Sequence, residues 1–189
     1  MNSVRKSRGG LGGVSDYASV IASAAAANGV DPAVLTALIQ QESGGNPNAV
    51  NASSGALGIA QFMPATAAGL GVNPLDPVSA INGAAQYLAQ LTNQFGSTQL
   101  GLAAYNWGPG NLQKWLNGQI SNWPSETQNY VNSILASVGV SGVNSSSLVS
   151  AVGASNLFGG DSGIASGASS VWPLVLLGVV GFLVVREIV

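Results

Sequence analysis

The sequence contains no cysteine and no histidine, and it is poor in charge: five Lys or Arg and seven Asp or Glu among 189 residues. Without cysteine there are no disulfides, thiolate metal sites or thiol nucleophiles. Without histidine there are no imidazole bases, no Ser-His-Asp triads and no His-ligated metals. An ordinary soluble protein carries about a quarter charged residues, whereas here the share is 6%. Four of the five cations, Arg5, Lys6, Arg8 and Arg186, lie near the ends of the sequence. Between residues 14 and 138, Lys114 stands alone against Asp16, Asp31, Glu42, Asp76 and Glu126. That stretch has no basic patch, so nucleic acid is not an expected partner. Acid–base chemistry is left to a carboxylate, a lysine or a tyrosine.

Composition divides the chain into four parts. Residues 1–13 carry three cations and four glycines with no apolar run behind them, and are expected to be a basic flexible tail rather than a secretory signal. Residues 14–138 hold nine of the twelve aromatics and are the expected folded domain. Residues 139–170 contain 17 Gly or Ser in 32 positions, too little apolar surface to offset the entropy of ordering. They read as a flexible linker with an end-to-end distance of roughly 30 Å. Residues 171–189 open with VWPLVLLGVVGFLVV, an uncharged apolar run.

The domain reads as all-α, with a short hairpin near residues 49–56 as the one β feature the pattern allows. Asp31 before Pro32 and Asp76 before Pro77 are N-cap and first-turn pairs. Val78, Ile81, Ala85 and Leu88, continued by Ala84, Leu91 and Phe95, recur at helical spacing. Tyr130, Ile134 and Val138 follow Pro124 in the same way, with Glu126 in a first turn where the helix dipole favours an anion. Ser15 is a candidate cap for a helix carrying Tyr17, Val20, Ile21 and Ala24.

In the helix expected after Asp31, the apolar stripe runs through Leu35, Leu38 and Ile39, and the next position on that face is Glu42. Ser43, Gly44, Gly45, Asn46 and Pro47 then stop the helix. Glu42 thus sits at a helix C-terminus, where the dipole disfavours its anion, and on a face where burial disfavours it again. Both effects favour a retained proton, which a general acid needs. A solvated Glu at a fraying helix end would show the same spacing, so the face it occupies carries the argument. Two further runs add weight. SGALGIAQFMP at residues 54–64 is a glycine-punctuated apolar loop with one amide, and AAYNWGPG at residues 103–110 sets a phenol, an amide and an indole before a helix break. Each alone fits a buried connector or a packed helix end. Together, amides and aromatic faces suit a neutral polysaccharide with hydroxyl and acetamido groups.

In order, Glu42 and Ser43, then Gly58, Ile59, Ala60 and Gln61, then Ala104, Tyr105 and Asn106, then Glu126 and Thr127 followed by Tyr130, resemble the signature of soluble-lytic-transglycosylase-like domains. The resemblance covers about residues 15–138. It implies a goose-lysozyme-like helical fold that cleaves peptidoglycan strands, with Glu42 as catalytic acid and base. It implies that Ser43, Gln61, Met63, Tyr105, Asn106 and Tyr130 lie in the substrate groove or beside the acid. Ala60 stands where the family commonly has Met, a difference that bears on a glycan subsite.

Glycoside hydrolysis normally uses two carboxylates, yet Asp31 and Asp76 are committed to capping and Asp16 and Glu126 to first turns. A single-acid enzyme takes its nucleophile from elsewhere, and N-acetylmuramic acid can supply its own 6-hydroxyl, giving a 1,6-anhydro product without metal or organic cofactor. A hydrolytic lysozyme and a non-catalytic wall-binding or virion-structural membrane protein are the alternatives. Residues 173–189 would form a helix of roughly 25 Å, slightly short for a hydrocarbon core of about 30 Å. With Trp172 and Arg186 at the two interfaces, one C-terminal transmembrane helix is expected, against the alternatives of a buried core helix or a tail packed into a partner protein. Its lipid partner would then be a virion membrane or the bacterial inner membrane with the enzyme facing the periplasm. Delivery by a phage particle, among other virion proteins, would reconcile this anchor with the missing signal.

Overall fold

The structure is a computed structural model and describes residues 13–140. The basic tail up to residue 12, the linker from residue 141 and the expected membrane helix at 171–189 lie outside the described residues. A 3-10 turn, Val14–Tyr17, leads into seven α-helices: α1 Ala18–Asn28, α2 Pro32–Ser43, α3 Pro64–Leu70, α4 Pro77–Phe95, α5 Thr98–Trp107, α6 Pro109–Leu116 and α7 Ser125–Ser137. More than half of residues 14–138 are helical, and no helix among the described residues is long and apolar enough to cross a membrane.

Local chemistry sets the helix boundaries. Asp31 Oδ1 accepts from the Ala33 N–H at 2.7 Å with Pro32 in the first turn of α2, and Asp76 Oδ1 accepts from the Ser79 N–H at 2.6 Å with Pro77 opening α4. These caps satisfy donors that the first turn leaves orphaned. Ser97 caps α5 through the Leu100 N–H. Ser15 does not cap: Gly13 precedes the 3-10 turn, Tyr17 precedes α1, and neither makes a side-chain cap. Asp16 lies in the first turn of the 3-10 segment, as its spacing suggests.

The long helix α4 is the hub. Its buried face (Ile81, Ala84, Ala85, Leu88, Leu91) packs against α5 and α1, whereas Val78 in its first turn remains exposed. Alanines at Ala24, Ala25, Ala103 and Ala104 are fully buried and let the backbones approach closely. Helix α7 closes the body against α5 and α2.

The hairpin that the pattern allows near residues 49–56 forms no strand. Residues 49–63 make two isolated antiparallel bridges, Val50 with Leu57 and Leu57 with Phe62. Asn51 Oδ1 accepts from the Ser53 and Ser54 N–H groups, and this Asx turn ends the first pairing after one step. Gly58 ends the second. At φ +75° it passes so close to the 73–76 turn that an added Cβ would lie 1.7 Å from the Pro74 carbonyl oxygen.

Candidate active site

Val34, Leu35, Leu38 and Ile39 form the buried stripe of α2, and Glu42 follows them one residue before the helix ends. Gly44 closes the helix in the left-handed conformation. Glu42 is half-buried, and the Tyr130 hydroxyl of α7 donates to its Oε1 at 2.6 Å. Burial, opposed in part by the Tyr130 hydrogen bond, raises the carboxyl from its ordinary pKa of 4.5 to about 7. At neutral pH the group is divided between acid and anion, which suits a side chain that must give and then recover a proton.

Tyr105 reaches the site from α5 and donates to the Ala60 carbonyl at 3.0 Å. Burial first, and then the neighbouring Glu42 and Tyr87, hold its phenol well above 10. Burial, Glu42 and Tyr105 do the same for Tyr130. Both phenols therefore remain hydrogen-bond donors at any working pH. Tyr87 on α4 completes an aromatic triad, with ring centroids 5.5 Å from Tyr105 and 6.3 Å from Phe62, while Phe62 and Tyr105 lie 6.1 Å apart.

The loop over residues 56–63 is fastened to this cluster. Ser43 Oγ donates to the Ile59 carbonyl at 2.7 Å and accepts from the Gly45 N–H, so its hydrogen is committed to the backbone. Gln61 adopts a positive φ of 47°, and its side-chain amide nitrogen donates to the carbonyls of Gly58 and Ala49. Its Oε1 is what it offers a ligand. Asn106 is exposed, and its Oδ1 accepts from the buried Thr127 hydroxyl at 2.9 Å, which leaves the amide NH2 free to donate. Met63 is exposed at the start of α3.

The structure thus brings Glu42 and Tyr130 together with Tyr105 beside them and links Ser43 to the neighbouring loop, whereas Gln61, Asn106 and Met63 make no hydrogen bond to the acid. Thr127 and Tyr87 are the additions. Thr127 stands in the motif around Glu126, but its role depends on a contact 21 residues away. Tyr87 looks like one more core position on α4.

Among the described residues the remaining acids, Asp16, Asp31, Asp76 and Glu126, are exposed, and none is hydrogen-bonded to Glu42. A groove of about 680 Å3 lies between α1, α2 and α7, lined by residues including Ile21, Ala37, Gln41 and Ile134, and it contains no acid or base. Among the described acids, Glu42 alone is half-buried and hydrogen-bonded to a phenol.

A helical body that presents one proton-holding carboxylate among phenols and amides has the layout of lysozyme-like glycan-cleaving domains. The comparison with known proteins is more specific: the chain belongs to the transglycosylase SLT domain family, whose model matches residues 19–126. The "Transglycosylase" of Enterobacteria phage PRD1 is 31% identical over 140 residues, covering 74% of this chain and 49% of that protein. The "Peptidoglycan transglycosylase gp16" of Escherichia phage T7 is 36% identical over 135 residues, covering 64% of this chain and 10% of that protein. Among solved structures, the 70 kDa soluble lytic transglycosylase SLT70 of Escherichia coli aligns with TM-score 0.58 and 31% identity, over 64% of this chain and 23% of that one. The chain therefore spans about half the length of the PRD1 protein and a small part of the other two. Thr127 and Tyr130 lie just beyond the matched stretch.

Proposed function

We propose that this protein is a peptidoglycan lytic transglycosylase that cleaves the MurNAc–GlcNAc bond through Glu42. The carrying observation is a half-buried carboxylate with a pKa of about 7 and a single side-chain partner, Tyr130. In the first step the Glu42 carboxyl gives its proton to the glycosidic oxygen, the C1–O bond breaks, and GlcNAc leaves with a free 4-hydroxyl. In the second, the 6-hydroxyl of the same MurNAc attacks C1 and its proton passes to the Glu42 carboxylate. The acid is regenerated, no water is consumed, and the new end is a 1,6-anhydro sugar. Tyr130 donates to the anion between the two steps. Tyr105, Asn106, Gln61 and Met63 line the glycan site, and Ser43 fixes the loop beside it.

The exposed placement of the other acids supports the intramolecular route, because among the described residues no second carboxylate is hydrogen-bonded to Glu42. Mass spectrometry of digested peptidoglycan tests it. Anhydromuropeptides are expected, lost on Glu42→Gln; reducing ends would make the protein a hydrolytic lysozyme, and no release would leave a wall-binding protein. The uncharged run at residues 171–185 supports a membrane anchor, and the phage relatives support a role in opening the wall during entry. Anchored full-length protein resists carbonate extraction from membranes; extraction would refute the anchor.

A further inference from the structure

Three phenols gather at the site, and two of their hydroxyls are spent within the protein: Tyr130 on Glu42 and Tyr105 on the Ala60 carbonyl. Tyr87 differs. Its ring is clamped between Phe62 and Tyr105, yet the residue is half-exposed, and among the described residues its hydroxyl makes no hydrogen bond to protein. A tyrosine kept only for core packing would serve as well as phenylalanine, and a buried hydroxyl would need a partner. Tyr87 packs on Tyr105 and Phe62 and makes no hydrogen bond to Glu42, so it stands one ring removed from the phenol that holds the acid's neighbouring loop.

We propose that Tyr87 is a glycan-binding residue, its ring held by Phe62 and Tyr105 while its free hydroxyl hydrogen-bonds an acetamido oxygen or sugar hydroxyl one unit removed from the bond that is cut. The proposal rests on the peptidoglycan reading above and deepens it, because it assigns to α4 a side chain that touches substrate. The rigid ring lowers the entropy lost when the hydrogen bond forms. Burial pushes its pKa above the ordinary 10, so the hydroxyl keeps its hydrogen throughout the working range.

The test uses the full-length chain in the Glu42→Gln background, so that ligand is not consumed, and measures binding of a GlcNAc oligomer by calorimetry. Adding Tyr87→Phe should weaken binding by about fivefold, the worth of one neutral hydrogen bond, with an unchanged melting temperature. With Glu42 intact, Tyr87→Phe should slow release of anhydro products in proportion at limiting substrate. Equal affinity with and without the hydroxyl overturns the proposal, as does a loss of affinity that tracks a lowered melting temperature. Anhydro products from the parent chain together with an indifferent Tyr87→Phe would sink this inference alone. If the parent chain releases no products and binds no oligomer, the peptidoglycan reading falls with it.

Discussion

Burial makes Glu42 hold its proton to higher pH than an ordinary carboxyl, and this has an energetic consequence that needs no substrate to measure. Its pKa is about 7 in the folded chain against 4.5 ordinarily, so between those values the folded state binds more protons than the unfolded one. Stability from this group is then full below about pH 4.5, falls as pH rises through 7, and is flat above. The difference is on the order of 3 kcal/mol. Glu42→Gln cannot ionise and escapes the loss. Urea unfolding should find the two proteins alike near pH 4.5 and the Gln variant more stable at pH 8; equal stability at both would mean that the carboxyl is solvated. The Tyr130 hydroxyl acts in the opposite sense to burial, and Tyr130→Phe removes it. That hydroxyl lowers the Glu42 pKa, so removing it should move the alkaline limb of the pH–rate profile to higher pH and reduce the maximum. A profile that drops without shifting would show that Tyr130 does not stabilise the anion. The position of Glu42 was legible in the sequence because helical period and a stop signal are local. The Tyr130 hydrogen bond, 88 residues away, was reached through the family resemblance, since spacing carries no information on which hydroxyl meets which carboxylate.

Among the elements, the loop over residues 49–63 is the least regular and the most constrained. It holds its shape through the Asn51 turn, the Gln61 amide, Ser43 and the close pass of Gly58 under Pro74. Gly58→Ala meets both a positive φ and a backbone oxygen that cannot yield cheaply. It should destabilise the domain by more than about 3 kcal/mol, read as a lower urea midpoint, and should release Tyr105 from the Ala60 carbonyl. A variant that unfolds like the parent would show that the loop moves freely past residues 73–76. The caps at Asp31 and Asp76 could be read from sequence because Asp-Pro acts on its own neighbours. Helices α3 and α6, of seven and eight residues, are too short for a periodic signal, and Pro64 and Pro109 looked as much like loop residues as helix starts. Ser15 misled for a related reason: cap propensity is weak where the chain first tightens into a 3-10 turn.

Across the whole molecule, the scarcity of charge has a sign. The folded stretch carries Lys114 against five carboxylates, and four of those are exposed. A glycan strand that bears lactyl and peptide carboxylates meets a surface of like charge. Raising ionic strength from about 10 mM to about 150 mM shrinks the screening length from roughly 30 Å to roughly 8 Å. Wall lysis by a chain limited to residues 13–140 should therefore rise or hold over that range, where a basic wall-cutting protein would slow. A marked fall with salt would point to an attraction that this surface does not explain.

The bond between Tyr130 and Glu42 also sets an order of events in synthesis. Glu42 emerges early, but the hydroxyl that steadies its anion belongs to the last described helix. Until residue 130 has been made and α7 has closed on α2, the carboxyl lacks both that donor and the enclosure that α7 gives it. A nascent chain therefore lacks the complete proposed site for most of its translation, because the donor to Glu42 is supplied by the last helix described.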